Sequence, residues 1–148
     1  MKSDTPLDKL RELAQQEVDD AATLLGKVRQ SHSQAQKQLD MLLDYENDYR
    51  LRLQESMGTG INAANWYNYQ QFIKTLELAI EQHQKQLHVW AQRLEKALST
   101  WQTKRQRLNA FETLKERAMQ EFLLRENRRD QKLMDEFAQR ASLRKLNP

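Results

Sequence analysis

SMGTGIN, Ser56 to Asn62, is the one interior stretch of this chain that resists helix. It holds Gly58 and Gly60, two of only three glycines. Gly26 is the third, and the two prolines, Pro6 and Pro148, sit at the ends. Everything between can run as helix, because the residues that most oppose it are missing. Two long helices therefore extend outward from this break, over roughly 6–57 and 62–145, about a hinge at roughly 58–61. Thr5 can cap the first, Pro6 suits its first position, and Asp8 stands three residues after the cap, as in a capping box. Gly58 is placed for the left-handed position that ends it. Asn62 can cap the second. The expected fold is all-α: an antiparallel coiled-coil hairpin with a C-terminal helical overhang, one domain over residues 1–148.

Composition agrees. Ala, Glu, Lys, Leu and Arg make up about half of the residues, the level of long helices and coiled coils. Hydrophobic residues are 39% and charged residues 30% of the chain, enough apolar surface for a seam but not for a layered globule. There is no cysteine, which excludes disulfides and thiolate metal sites and fits a reducing cytoplasm. The start, MKSDTPLDKLRELAQQ, is broken by charge and has no signal-peptide core. No window approaches the roughly 18 apolar residues of a membrane span. The net charge of +3 is spread over both signs, as on a solvated helical surface.

The seam can be followed residue by residue. In the first helix one row is Leu7, Ala14, Ala21, Val28, Ala35, Leu42 and Tyr49, and its neighbour is Val18, Leu25, His32, Leu39, Glu46 and Leu53. In the second, Trp66, Ile73, Ile80, Leu87, Leu94, Trp101 and Leu108 run beside Tyr69, Leu76, His83, Trp90, Ala97, Lys104 and Phe111. Pairing about the hinge sets opposite each other residues whose numbers sum to roughly 119. Trp101 then falls near Val18, Ala21 and Ala22, Trp90 near Val28 and Gly26, and Leu39 meets Ile80. Large side chains thus face small ones, as close packing requires. The second helix is longer, so pairing is exhausted near residue 115. Apolar residues nevertheless persist beyond it, at Phe122, Leu123, Leu124, Leu133, Met134 and Phe137, among many arginines.

Catalytic and metal chemistry find no footing. His83 and His88 are five apart, on different faces, where metal ligands need spacings of three or four. With three glycines there is no phosphate-cradling loop, and a rod offers no cleft to shift a carboxyl pKa. No cofactor, metal or small-molecule ligand is expected. The basic groups, Lys104 to Arg107 and Arg125 to Arg129, are interleaved with Glu121, Glu126, Asp130 and Glu136, which would repel phosphate, so no nucleic acid is expected either. One surface stands out near the hinge. Gln38, Leu42, Tyr45 and Tyr49 form a stripe on the first helix, and Phe72, Leu76, Ala79 and His83 form the same stripe on the second. They overlap the seam only partly. They make either a thicker core around the turn or an exposed patch that binds another protein.

Four blocks carry a resemblance. NWYNYQQFIKTLELAIEQHQKQL (Asn65–Leu87), EVDDAATLLGKVR (Glu17–Arg29), LDMLLDYENDYR (Leu39–Arg50) and NRRDQKLMDEFAQRASLRK (Asn127–Lys145) are similar, in order and spacing, to the FliJ family of flagellar export proteins. The run Trp-x-Asn-Tyr-Gln-Gln-Phe after a Met-Gly-x-Gly hinge is specific, where heptads alone are not. The resemblance implies a cytoplasmic antiparallel coiled coil, like the central stalk of rotary ATPases, peripheral to the inner membrane at the flagellar base. It implies three partners: the hexameric export ATPase whose assembly the family promotes, the membrane export gate, and export chaperones that it escorts. The family's gate-binding surface falls on Gln38, Leu42, Tyr45, Tyr49, Phe72, Leu76, Ala79 and His83, the double stripe above. The ATPase-facing end falls on the terminal half. There the expected contacts are Arg117, Phe122, Leu124, Arg125, Arg128, Leu133, Phe137 and Arg140. On this reading Phe72→Ala with Leu76→Ala leaves helicity unchanged and abolishes gate binding. The rival functions are a general coiled-coil chaperone or structural spacer, and a nucleic-acid-binding coiled coil.

Overall fold

The computed structural model describes residues 5–146. Pro148, the expected terminal break, lies outside them. Among the described residues there are two helices and no strand: α1, Pro6–Thr59, and α2, Ala63–Leu146. Both starts are capped as their residues dictate. Thr5 Oγ1 accepts the Asp8 N–H at 3.2 Å, and Asn62 Oδ1 accepts the Asn65 N–H at 2.7 Å. Each supplies an acceptor to an amide that has no partner inside its own helix.

The stop of α1 departs from expectation. The helix continues through Gly58 to Thr59, and the left-handed residue is Gly60, at φ 92°. The Thr59 hydroxyl donates to the carbonyls of Glu55 (3.2 Å) and Ser56 (3.3 Å), which holds the last turn closed. The hinge is thus shorter and later than 58–61. Glycine substitutions separate the two roles. Gly60→Ala lowers stability by about 1 kcal/mol, because a Cβ is disfavoured at that φ. Gly26→Ala raises it by roughly 0.5–1 kcal/mol, since Gly26 is helical and an added Cβ there meets nothing within 4 Å. Urea unfolding of the two variants checks the opposite signs.

The chain groups into two compact units. One is Asp19–Thr103. The other combines the chain up to Val18 with the chain from Lys104 onward. In the first, α1 turns back through the hinge and packs antiparallel on α2. Its core holds Leu25, Val28 and Ala97, with Trp90, Leu94, Leu98 and Trp101 against them, and Leu39, Leu53, Ile73, Leu76 and Ile80 are also buried. In the second unit Ala14, Val18 and Leu108 are buried. Each buried Val, Leu or Ile contributes about 1.5–3 kcal/mol. No side chain among the described residues is fully enclosed. Two helices leave every seam position an edge toward water.

Both expected seam rows on each helix are buried or half-buried throughout, with one exception: Trp66 is 41% exposed. The register explains it. Tyr49 meets Phe72, and Arg50 meets Glu77, in one unit. Asp8 meets Lys115, Arg11 meets Glu112, and Glu17 meets Lys104 and Arg107, in the other. Most of these pairs sum to between 121 and 124 rather than 119. The pivot has moved to Ile61 because α1 runs longer. At that register Trp66 falls in the last turns of pairing before the hinge, where little of α1 is left to cover it. Trp90 does pack against the cluster holding Val28, but Gly26 and Ala22 are exposed and form no socket for a large side chain.

Candidate functional site

The eight hinge-half residues divide by depth. Leu76 is buried at 8% exposure, and Leu42, Tyr49, Ala79 and His83 are half-buried. Gln38, Tyr45 and Phe72 are exposed, the two aromatics at 50% and 42%. The stripe is therefore a ridge of core whose outer members reach solvent. His83 is committed to its own helix, with Nδ1 2.9 Å from the Ala79 carbonyl. His88 pairs one turn on with Gln92, at 3.2 Å. Neither looks toward the other. Among the described residues no group of His, Asp and Glu is arranged to hold a metal ion.

The aromatic part is built across the two helices. The Tyr49 and Phe72 rings lie 4.3 Å apart, tilted by 37°, and Tyr69 lies 6.2 Å from Tyr49. The Arg52 guanidinium sits 5.6 Å from the centre of the Tyr49 ring. Such stacking and cation–π contacts fix ring positions and favour a flat, rigid face. Arg50 locks the same region. It donates to Glu46 on its own helix at 3.0 Å and to Glu77 across the seam at 2.6 Å. Arg50 and Glu77 are half exposed, so the value of the pair across the seam is register more than stability. Beside the rings runs an open groove of about 410 Å³, lined by Tyr49, Arg52, Asn65, Asn68, Tyr69 and Phe72. Four of these six, Arg52, Asn65, Asn68 and Tyr69, escaped the stripe reading. Tyr69 was legible only as a seam residue. The two asparagines join because the first turns of α2 lie beside the ring cluster.

The second candidate surface is the distal part of α2. The chain up to Val18 accompanies α2 through four ion pairs, of which Asp8 with Lys115 (3.4 Å) lies furthest along it. From Glu112 onward every described residue is exposed except Glu126, which is half-buried. Phe122, Leu124 and Leu133 are 55–57% exposed and Phe137 is 75% exposed. Because α2 is unbroken to Leu146, helical spacing decides which residues share a face. Phe122, Leu133, Phe137 and Arg140 fall on one side. Arg117, Leu124 and Arg128 fall on the opposite side, and Arg125 stands at the flank. The eight expected contacts are thus two surfaces, back to back. Met119, Leu123 and Met134, also exposed, extend the apolar side.

Where this pairing begins, one carboxyl is tuned. Hydrogen bonding from Thr5, followed by contact with Lys115, holds Asp8 below the ordinary aspartate range. A carboxyl whose pKa is lowered on folding stabilises the fold above its unfolded value, and that stabilisation is lost as pH falls through the folded value. Thermal stability should therefore fall on acidification below the ordinary aspartate pKa, and less steeply in Thr5→Ala. Scanning calorimetry of both proteins across that range checks it.

Residues 1–147 match the family model described as Flagellar FliJ protein. The chain is 56% identical over 139 residues to the flagellar FliJ protein of Salmonella typhi, covering 94% of this chain and 95% of that one. It is 55% identical, over the same shares, to the flagellar FliJ protein of Escherichia coli K12. Among solved structures, a YscO homologue from Chlamydia trachomatis matches with a TM-score of 0.56 at 19% identity, covering 99% of this chain and all of the other. That likeness is one of fold. No helix among the described residues is long and apolar enough to cross a membrane.

Proposed function

The chain belongs to the FliJ family, components of flagellar protein export, and from that premise we propose that it is a non-enzymatic coupling element. Distal α2 binds the hexameric export ATPase and promotes its assembly. The aromatic hinge-half surface contacts the membrane export gate, and the chain escorts export chaperones. It works peripherally, on the cytoplasmic face of the inner membrane at the flagellar base.

One observation carries the reading. Past Lys115, which makes the last ion pair with α1 among the described residues, α2 continues as helix with phenylalanine, leucine and methionine half or more in water. Isolated helices gain little from propensity alone and are normally held by packing of an apolar face. A helix that keeps such a face open supports a role in contact. The aromatic groove near the hinge supports a second contact of different chemistry, flat and ring-lined. The test is to add the purified chain to the flagellar export ATPase and follow hydrolysis and hexamer formation together. Both rise if the reading holds. A general chaperone or spacer leaves both unchanged. A nucleic-acid binder instead shows affinity for DNA or RNA that collapses with salt.

A further inference from the structure

Distal α2 carries a pattern that docking to an ATPase leaves unexplained. Glu126, Asp130, Leu133, Phe137, Arg140 and Arg144 follow one another at spacings of four, three, four, three and four. That spacing is a single coiled-coil seam along one side of a continuous helix. Its centre is apolar, with Leu133 57% and Phe137 75% exposed. One end is doubly acidic and the other doubly basic. Within one helix the like charges four residues apart repel, and Arg129 beside Glu126 and Glu136 beside Arg140 offset this only in part, since Asp130 and Arg144 have no opposite charge three or four residues away.

We propose that this seam pairs with the same seam of a second copy of the chain, running antiparallel about a two-fold axis at residue 135. The register follows from the residue numbers. Pairs that sum to 270 set Leu133 against Phe137 of the partner subunit, Asp130 against Arg140 of the partner subunit, and Glu126 against Arg144 of the partner subunit. Each contact occurs twice, so all four acidic and four basic groups find an opposite charge around an apolar middle. A parallel pairing would stack Glu126 on Glu126 and Arg140 on Arg140, so the charges select the orientation. The contact is isologous and closes as a dimer, not a filament. Charges held in a seam lose hydration, so the dimer is reversible and salt-sensitive. It covers Leu133, Phe137 and Arg140, and a paired chain therefore cannot present that side to an ATPase.

Charge swapping tests it. Sedimentation equilibrium of the full chain at about 0.05 M salt should show a concentration-dependent dimer that dissociates near 1 M salt. The R140E/R144E variant should lose at least about 100-fold in dimer affinity, and E126R/D130R should do the same. Circular dichroism should show unchanged helicity in both, since Asp130, Arg140 and Arg144 are exposed and Glu126 only half-buried. Mixed together, the two variants should recover a heterodimer, because each then offers what the other lacks. The fourfold swap should recover the homodimer. A wild-type chain that stays monomeric overturns the proposal even if it binds the ATPase. So does a dimer that survives R140E/R144E, or a mixture that fails to pair.

Discussion

If the hinge-half surface binds the export gate as proposed, Phe72→Ala combined with Tyr45→Ala should leave the far-ultraviolet circular dichroism of the chain unchanged and weaken that binding by about 100-fold. Both rings are on the outer side of the hinge-half surface, Tyr45 at 50% and Phe72 at 42% exposure. Losing Phe72 forfeits its stacking on Tyr49 at 4.3 Å, a cost of about 1 kcal/mol. Exposed aromatics at the centre of an interface commonly carry 2 kcal/mol or so each, and a few of them dominate binding. Leu76→Ala gives the contrasting result. Leu76 is buried at 8%, so its truncation costs roughly 2–5 kcal/mol of stability and lowers the melting temperature. The pairing of Phe72→Ala with Leu76→Ala expected from sequence therefore mixes a surface change with a core change, and its melting temperature should fall with that of Leu76→Ala. Isothermal titration against the gate's cytoplasmic part, with thermal melts beside it, separates the two. Equal loss of stability in both variants would make the whole stripe core.

The stripe allows two readings, thicker core or exposed patch, and its members divide between them. Spacings of three and four identify a helical face, and here they did so correctly. Depth is another matter. Leu76 and Phe72 are one turn apart and equally apolar, yet Leu76 points into the seam while Phe72 lies at its lip. The heptad carries that difference: Leu76 stands in a seam row and Phe72 in neither, so a stripe at spacings of three and four crosses from seam to lip. The seam rows were legible because each position repeats every seven residues and errors cancel along the chain. The register was legible only to within about three residues. It depends on where α1 stops, and glycine can be tolerated inside a helix as at Gly58 as well as end one as at Gly60. The groove beside Tyr69 was not legible at all. It is made of residues from two helices, and Asn65 and Asn68 acquire meaning only when Tyr49 and Arg52 are set beside them.

The distal helix was the reverse case. Its apolar residues and arginines were plain in the sequence, but they were gathered into one surface because both point to docking. A continuous helix divides them between two sides. Phe122, Leu133 and Phe137 share one side, while Arg117 and Arg128 occupy the other. The two sides make different predictions for the ATPase. Alanine at Phe122, Leu133 and Phe137 should abolish stimulation of hydrolysis and weaken binding by about 1000-fold, since each apolar anchor is worth tenfold or more. Alanine at Arg117, Arg125 and Arg128 should weaken binding only about tenfold, through a slower association that vanishes as salt is raised. Neither set should move the melting temperature much, because exposed positions rarely alter stability by more than about 0.5 kcal/mol. Titration of each variant against the ATPase at two salt concentrations decides between them. If the arginine variant suffers the larger, salt-resistant loss, the docking side is the basic one, and the apolar side is left for the second copy of the chain. If both lose equally, the helix is gripped all round, as an element enclosed by its partner must be.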